Sequence, residues 1–457
     1  MESRVTDMTS GKPSKLILKF ALPLMLGGVF QHLYTVVDAA IVGQFCGVNS
    51  LAALGSTDWL VWFCLGFCVG LTQGFAILIA QHFGAKEYRL LRKSVAMPIV
   101  LAAAIAVVMS VLLQILAEPV LRLLNTDPAV LDEALLYLRI SYGGFAVVMA
   151  YNLLASVLRS LGDGTTPLVA MGVACAVNIG LDLLFVAAFH WGIGGAAGAT
   201  VTAQLVSCLY CAYRFRKLSL LKFSKEDWRL DRPLLKKLFS LGSPLAVQNM
   251  VIHIGGMVLQ SIINTYGVAF LAGFTATNKL YGALELAAIA LGYSIATYTG
   301  QNMGAEKIKR IKKGIRAATV LAIATSLAIT ALALIFSRPL TSLFINAGSE
   351  NAQEALQVAM SYLAVLAVFL PILYLLNIYR SALQGLGDTI TPFLSGMMEL
   401  AMRLACAFTL PMFLGGEGLF LAEPAAWLGA IILLVPVYFI RERKYLNLMV
   451  DRSAEAD

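Results

Sequence analysis

The feature that most constrains this chain is its series of long apolar stretches. Twelve can be marked along the 457 residues, at 16–44, 52–80, 94–117, 130–158, 166–190, 194–215, 238–265, 270–299, 315–336, 354–383, 391–414 and 418–440. About 20 apolar residues cross a bilayer's hydrocarbon core as a helix, and every stretch reaches that length. Only 13% of the residues are charged, 59% are hydrophobic, and the mean hydropathy is +0.80. Soluble globular domains are not composed this way. In lipid the backbone must satisfy its own polar groups, so twelve transmembrane helices of an all-α polytopic membrane protein are expected. The first fifteen residues are polar and show no small-residue cleavage site, so no removable signal peptide is expected.

Basic residues orient the helices. Lys12 and Lys15 precede the first stretch; Lys86, Arg89, Arg92 and Lys93 follow the second; nine lie between Arg214 and Lys237; six lie between Lys307 and Arg316; Arg441, Arg443 and Lys444 follow the twelfth. The opposite loops carry little beyond Arg122 and Arg338. All the basic loops then share one side, which places both termini in the cytoplasm of a cell-membrane protein. The net charge of +8 reports this topology and no nucleic-acid partner.

The chain repeats itself. Gln81-His-Phe-Gly-Ala85 returns at Gln301-Asn-Met-Gly-Ala305, and Leu161-Gly-Asp-Gly-Thr-Thr-Pro167 at Leu386-Gly-Asp-Thr-Ile-Thr-Pro392. Leu22-Pro-Leu24 returns at Ser243-Pro-Leu245, and Gly47 begins a segment that returns at Gly267. One displacement of 220–225 residues explains all four (81 to 301, 161 to 386, 22 to 243, 47 to 267). Two copies of a six-helix unit follow, related by an axis along the membrane normal. The expected lobes are 1–215 and 238–457, the second ending in a short cytoplasmic tail. They are joined by a basic cytoplasmic linker, 216–237, whose interspersed Phe223, Trp228 and Leu230 suit a membrane surface.

Asp38 is the most telling single residue. It sits inside the first stretch among Val36, Val37, Ile41 and Val42. An acid at mid-bilayer costs about 2.5–3.5 kcal/mol on insertion scales, so it is expected to face a bundle interior and to serve a function. Pro23 precedes it in the same stretch and marks a candidate kink. The fifth stretch holds Asn178 and Asp182, whose i,i+4 spacing puts them on one helix face, and Thr200 and Thr202 open the sixth. If these helices meet, Asp38, Asn178, Asp182 and a threonine form a polar pocket. Two neighbouring carboxylates repel when both are charged, so the pair tends to hold a proton or a cation. A static hydrogen-bonded tie between helices is the alternative. Gln31, Tyr34, Thr202, Gln260 and Glu285 are candidates to line a cavity. In the second copy, Glu399 and Arg403 are spaced for an in-helix ion pair.

Other chemistries find no footing. Cys208 and Cys211 form a lone CxxC inside an apolar helix, without a second pair or nearby histidines, and read as buried small side chains. The glycine-rich run at 192–198 follows a membrane helix rather than a strand, so it is no dinucleotide loop. HExxH, GxSxG and the phosphate-binding P-loop do not occur. No cofactor, metal site or enzymatic activity is expected.

The ordered set VVDAAIVGQF (36–45), QHFGA (81–85), LRSLGDGTTP (158–167), NIGLDLLF (178–185), GGAAGATVTAQ (194–204), QNMGA (301–305) and LQGLGDTITP (383–392) resembles the multidrug and toxic compound extrusion (MATE) transporters. The likeness is to the bacterial branch related to DNA-damage-inducible protein F, and it covers all twelve stretches. It implies two six-helix lobes forming a V around a central cavity. It implies export of cationic amphipathic compounds, driven by inward protons or sodium. It places the coupling site at Asp38, Asn178, Asp182 and Thr200, and the bending proline at Pro23. Other members also use acids of the seventh and tenth helices, which this chain lacks at mid-helix. A monomer is expected, with small organic cations, H+ or Na+ and the bilayer as its partners. A flippase for a lipid-linked precursor is the alternative within transport. A non-transporting receptor or scaffold is the alternative outside it.

Overall fold

A computed structural model describes residues 4–345 and 352–454, and among these residues there is no strand. The first copy consists of α1 (Pro13–Phe45), α2 (Val48–Gly84), α3 (Tyr88–Leu123), α4 (Pro128–Gly143), α5 (Phe145–Ser160), α6 (Thr165–Asp182) and α7 (Gly192–Arg216). The second consists of α8 (Arg232–Ile263), α9 (Val268–Leu284), α10 (Leu286–Gly304), α11 (Ile308–Ile335), α12 (Ser337–Ser342), α13 (Ala352–Leu386), α14 (Ile390–Thr409), α15 (Pro411–Leu414) and α16 (Ala422–Ala454). Each of the twelve apolar stretches is helical. Among the described residues ten helical runs are long and apolar enough to span a membrane, and an eleventh is formed by α4 and α5, bent by 47°. The last of the ten, Ile390–Tyr445, contains both α14 and α16, which turn back on each other at the 3-10 segment Gly415–Leu421.

The helices gather into two compact units. One runs from Leu26 to Ala246 and includes the arm up to Asp7; the other holds Met8–Met25 and the chain from Val247 on. These packing units are drawn differently from the lobes expected at 1–215 and 238–457. Their limits fall inside α1 and α8, two residues past Pro23 and two residues past Pro244. The limits are 221 residues apart (25 to 246), which is the repeat displacement itself. In the first unit the start of α8 lies hard against α2. A Cβ on Gly70 would fall 2.3 Å from the Leu245 carbonyl oxygen, and one on Gly74 2.3 Å from Gly242 Cα. Small residues four apart allow this backbone approach. In the second unit the start of α1 is held on α10, where the Ser294 hydroxyl donates to the Ile17 carbonyl at 2.9 Å.

The stretch expected as a surface linker is folded. Short 3-10 turns at Ser219–Leu221 and Lys225–Trp228 shape it, with Ser224 and Asp227 closing a capping box. It is clipped to α3 by Asp227 on Arg92 (3.1 Å) and Asp231 on Lys93 (2.8 Å). Phe223 stacks on Phe215 and meets Trp228 at a tilt of 51°. Lys93 and the Leu234 backbone N–H hold the Asp231 carboxyl below the usual carboxylate range.

Candidate functional site

The candidate site lies in the first unit, between α1, α6 and α7. On α1, Tyr34 and Asp38 are one turn apart and share a face. Asp38 is 6% exposed and Asp182 fully buried, so neither carboxyl faces lipid. On α6, Asn178 is buried one turn before Asp182. The chain then leaves α-geometry: Leu183–Ala188 form a π-helical turn directly after Asp182. Such turns are rare and occur often at functional sites. Phe185 within the turn stacks on Trp191 beyond it at 4.8 Å. On α7, Thr200 accepts a hydrogen bond from Asn178 Nδ2 at 3.3 Å.

Asp38 and Asp182 come within hydrogen-bonding reach of each other. Beside them is a narrow cleft, about 210 Å³ with its open mouth included, lined by Tyr34, Asn178, Thr200, Gln204 and small or apolar neighbours. The Gln204 side chain reaches the Tyr34 hydroxyl. Five buried acceptors here find no donor among the described residues: Asp38 Oδ1, both Asp182 oxygens, Asn178 Oδ1 and Gln204 Oε1. Unsatisfied buried acceptors are costly, and two ionised carboxylates side by side more so. A proton shared by the pair, or a cation ringed by carboxylate and amide oxygens, satisfies this donor set; an anion does not.

The structure thus brings Asp38, Asn178, Asp182, Thr200 and Tyr34 together. Gln31 lies half-buried on α1, its carbonyl accepting from Thr35. Thr202 is exposed and donates back to the Gly198 carbonyl, so it does not join the cavity. Pro23 lies in an unbroken α1. Gln260 and Glu285 belong to the second unit. Gln260 donates to Asn264 at 3.0 Å. Glu285 sits at the joint of α9 and α10, beside the Tyr281 hydroxyl. Two residues outside the expected set border the site: Asp58 of α2, whose charge acts on Asp38, and buried Tyr137 of α4. Asp58 is also an acid inside an apolar stretch, so the reasoning that picks out Asp38 picks it out as well.

The in-helix pair expected between Glu399 and Arg403 does not form. Glu399 pairs with Arg380 of α13, and Arg403 pairs with Glu423 of α16 at 2.8 Å and donates to the Ile252 carbonyl. Neighbouring helices offer a buried guanidinium more acceptors than its own helix does, and burial demands them. Gly255 makes the room, since a Cβ there would fall 2.4 Å from Arg403 Nη1.

Comparison with known proteins gives the same architecture. The chain is 31% identical to the probable multidrug resistance protein YpnP of Bacillus subtilis over 308 residues, 67% of this chain and 68% of that one. It is 26% identical to the probable multidrug resistance protein YoeA of the same organism, over 98% of this chain and 99% of the relative. A solved outward-facing multidrug resistance MATE family transporter, 22% identical, superposes with a TM-score of 0.90 over 97% of this chain and 99% of that one. The MatE family model matches twice, over 23–184 and 244–409, so that each match begins at one of the two first-helix prolines. This chain therefore belongs to the MatE family of membrane transporters, the multidrug and toxic compound extrusion proteins.

Proposed function

We propose that the protein is a secondary active multidrug efflux antiporter. It exports cationic amphipathic compounds across the cell membrane in exchange for protons or sodium, through Asp38, Asn178, Asp182 and Thr200. The observation that carries this reading is the buried Asp38–Asp182 pair, three of whose oxygens, with those of Asn178 and Gln204, find no donor among the described residues. Such a site is stable when it holds a proton or cation and unstable when empty and doubly charged. Loading and unloading therefore change the free energy of the conformation around the end of α1. A ligand shifts that balance by its different affinity for the two conformations, and a cationic substrate does so in competition with the coupling ion. The multidrug resistance assigned by name to the B. subtilis relatives supports the substrate class.

The lipid-precursor flippase is less well supported. The two buried arginines of the second unit, Arg380 and Arg403, are each engaged by a glutamate.

Counter-transport in proteoliposomes tests the reading. Wild type is expected to move a fluorescent organic cation against an imposed proton or sodium gradient, and Asp38→Asn to lose that movement while still folding. An Asp38→Asn variant that transports like wild type would show the acid to be structural.

A further inference from the structure

The first unit holds another cavity, at the end of its helices that carries the basic loops. It spans about 280 Å³ with its open mouth and is lined by Arg4, Val5, Asp163, Arg214, Lys217 and Leu218. Asp163 and Asp182 bracket α6, so at 1.5 Å per residue the cavity lies about 28 Å from the acid pair.

Its charge is unbalanced. Three cations surround one acid, and that acid is already occupied. Asp163 Oδ1 accepts the backbone N–H groups of Thr165 and Thr166, and Oδ2 accepts the Thr166 hydroxyl, which caps α6. Among the described residues Arg4, Arg214, Lys217 and Asp163 enter no ion pair. Arg4 Nη1 is shielded from solvent and has no hydrogen-bond partner among the described residues. The second copy resolves the same position differently. Asp388, the repeat of Asp163 (163 to 388), also caps its helix through Thr391, and it pairs with Arg441 at 3.0 Å. There one acid meets one base; here two positive charges are left over.

The third cation is brought in by the amino-terminal arm. The Thr6 N–H donates to the Leu161 carbonyl at 3.3 Å. Gly162 has φ +80°, and a Cβ there would fall 2.2 Å from the Thr6 carbonyl oxygen. Only glycine admits the arm at this depth. Next to the mouth, Tyr213 is exposed on α7, and the Lys217 ammonium donates to its hydroxyl and lies 4.0 Å from its ring centre, so the lysine is held at the mouth without a counter-charge.

We propose that this cavity binds a phosphate-bearing anion, with Arg4, Arg214 and Lys217 as its ligands, and that the anion fastens the amino-terminal arm to α7. Guanidinium forks take phosphate oxygens two at a time, and the lysine adds a point charge. An anionic phospholipid headgroup and a soluble phosphate share this chemistry.

The test is the melting temperature of the purified full-length chain in mixed micelles containing phosphatidylglycerol, phosphatidylcholine, or phosphatidylcholine with inorganic phosphate. Wild type and Lys222→Gln/Lys225→Gln, which keeps the cavity intact, are expected to melt higher with phosphatidylglycerol than with phosphatidylcholine. Arg214→Gln/Lys217→Gln is expected to lose that rise, and Arg4→Gln to lose part of it. Arg4 lies outside any helix, so its variant carries the test if the double variant does not fold. A rise with inorganic phosphate that the same variants abolish supports the site and names a soluble ligand. No rise with either anion, or an equal rise in every variant, overturns the proposal.

Discussion

Asp38 and Asp182 illustrate how far one residue can be read. Each is an acid in an apolar helix, and each is buried against the other. If the pair couples the ion to the substrate, Asp182→Asn should cut gradient-driven transport by about 5–150-fold, the span of ordinary coupling free energies. Initial rates in proteoliposomes measure it, with melting temperature as the folding control. Thr200→Val removes the acceptor for Asn178 Nδ2 and is expected to cost about 0.6–1.7 kcal/mol, as interhelical hydrogen bonds in membranes do. Denaturant titration in mixed micelles checks that. The Arg403–Glu423 pair should respond asymmetrically. Glu423→Gln leaves a buried guanidinium without its partner and should destabilise by about 3–5 kcal/mol, whereas replacing both residues by apolar ones of similar volume should cost far less.

At the scale of the helix, two prolines mark where the chain passes from one packing unit to the other. Pro23 and Pro244 are repeats of each other, and each lies two residues before a unit limit. Proline removes one helical hydrogen bond, so each first helix is weakest close to that limit. Pro23→Ala should therefore leave the melting temperature unchanged or higher while slowing transport, and parallel loss of both would argue against a hinge. The linker gives a second test, through pH. The Asp231 carboxyl lies below its ordinary range because Lys93 binds its charged form. A depressed carboxylate contributes stability above its unfolded value of about 4, and that stability is lost only as pH falls through the lower folded value. A spin label at Lys225 should accordingly stay immobile from pH 8 to 5 and loosen only below about 4. Asp231→Asn should be looser throughout.

The whole molecule was largely legible in its sequence, because bilayer physics leaves few options. Long apolar stretches have to be helices, and a displacement of 220–225 residues makes them two copies. The i,i+4 geometry of Asn178 and Asp182 foretold one shared helix face, and Asp38 does meet it. Other features depend on contacts between distant segments. Spacing allowed Glu399 to reach Arg403, but only packing decides that Arg380 and Glu423 reach them first. Apolar content could not show that α1 and α8 each divide between units, since one apolar stretch runs across the limit in both helices. The π-turn after Asp182 left no signature in hydropathy, and the fold of the linker rests on Arg92 and Lys93, more than a hundred residues before it.

The most direct measurement of the central claim is competition. The affinity of the detergent-purified protein for a fluorescent organic cation would be followed as proton or sodium concentration is raised. Wild type is predicted to bind the dye more weakly as one of these ions increases. In Asp38→Asn/Asp182→Asn that dependence should vanish. An ion dependence that survives unchanged in the double variant would contradict the account and place the coupling elsewhere.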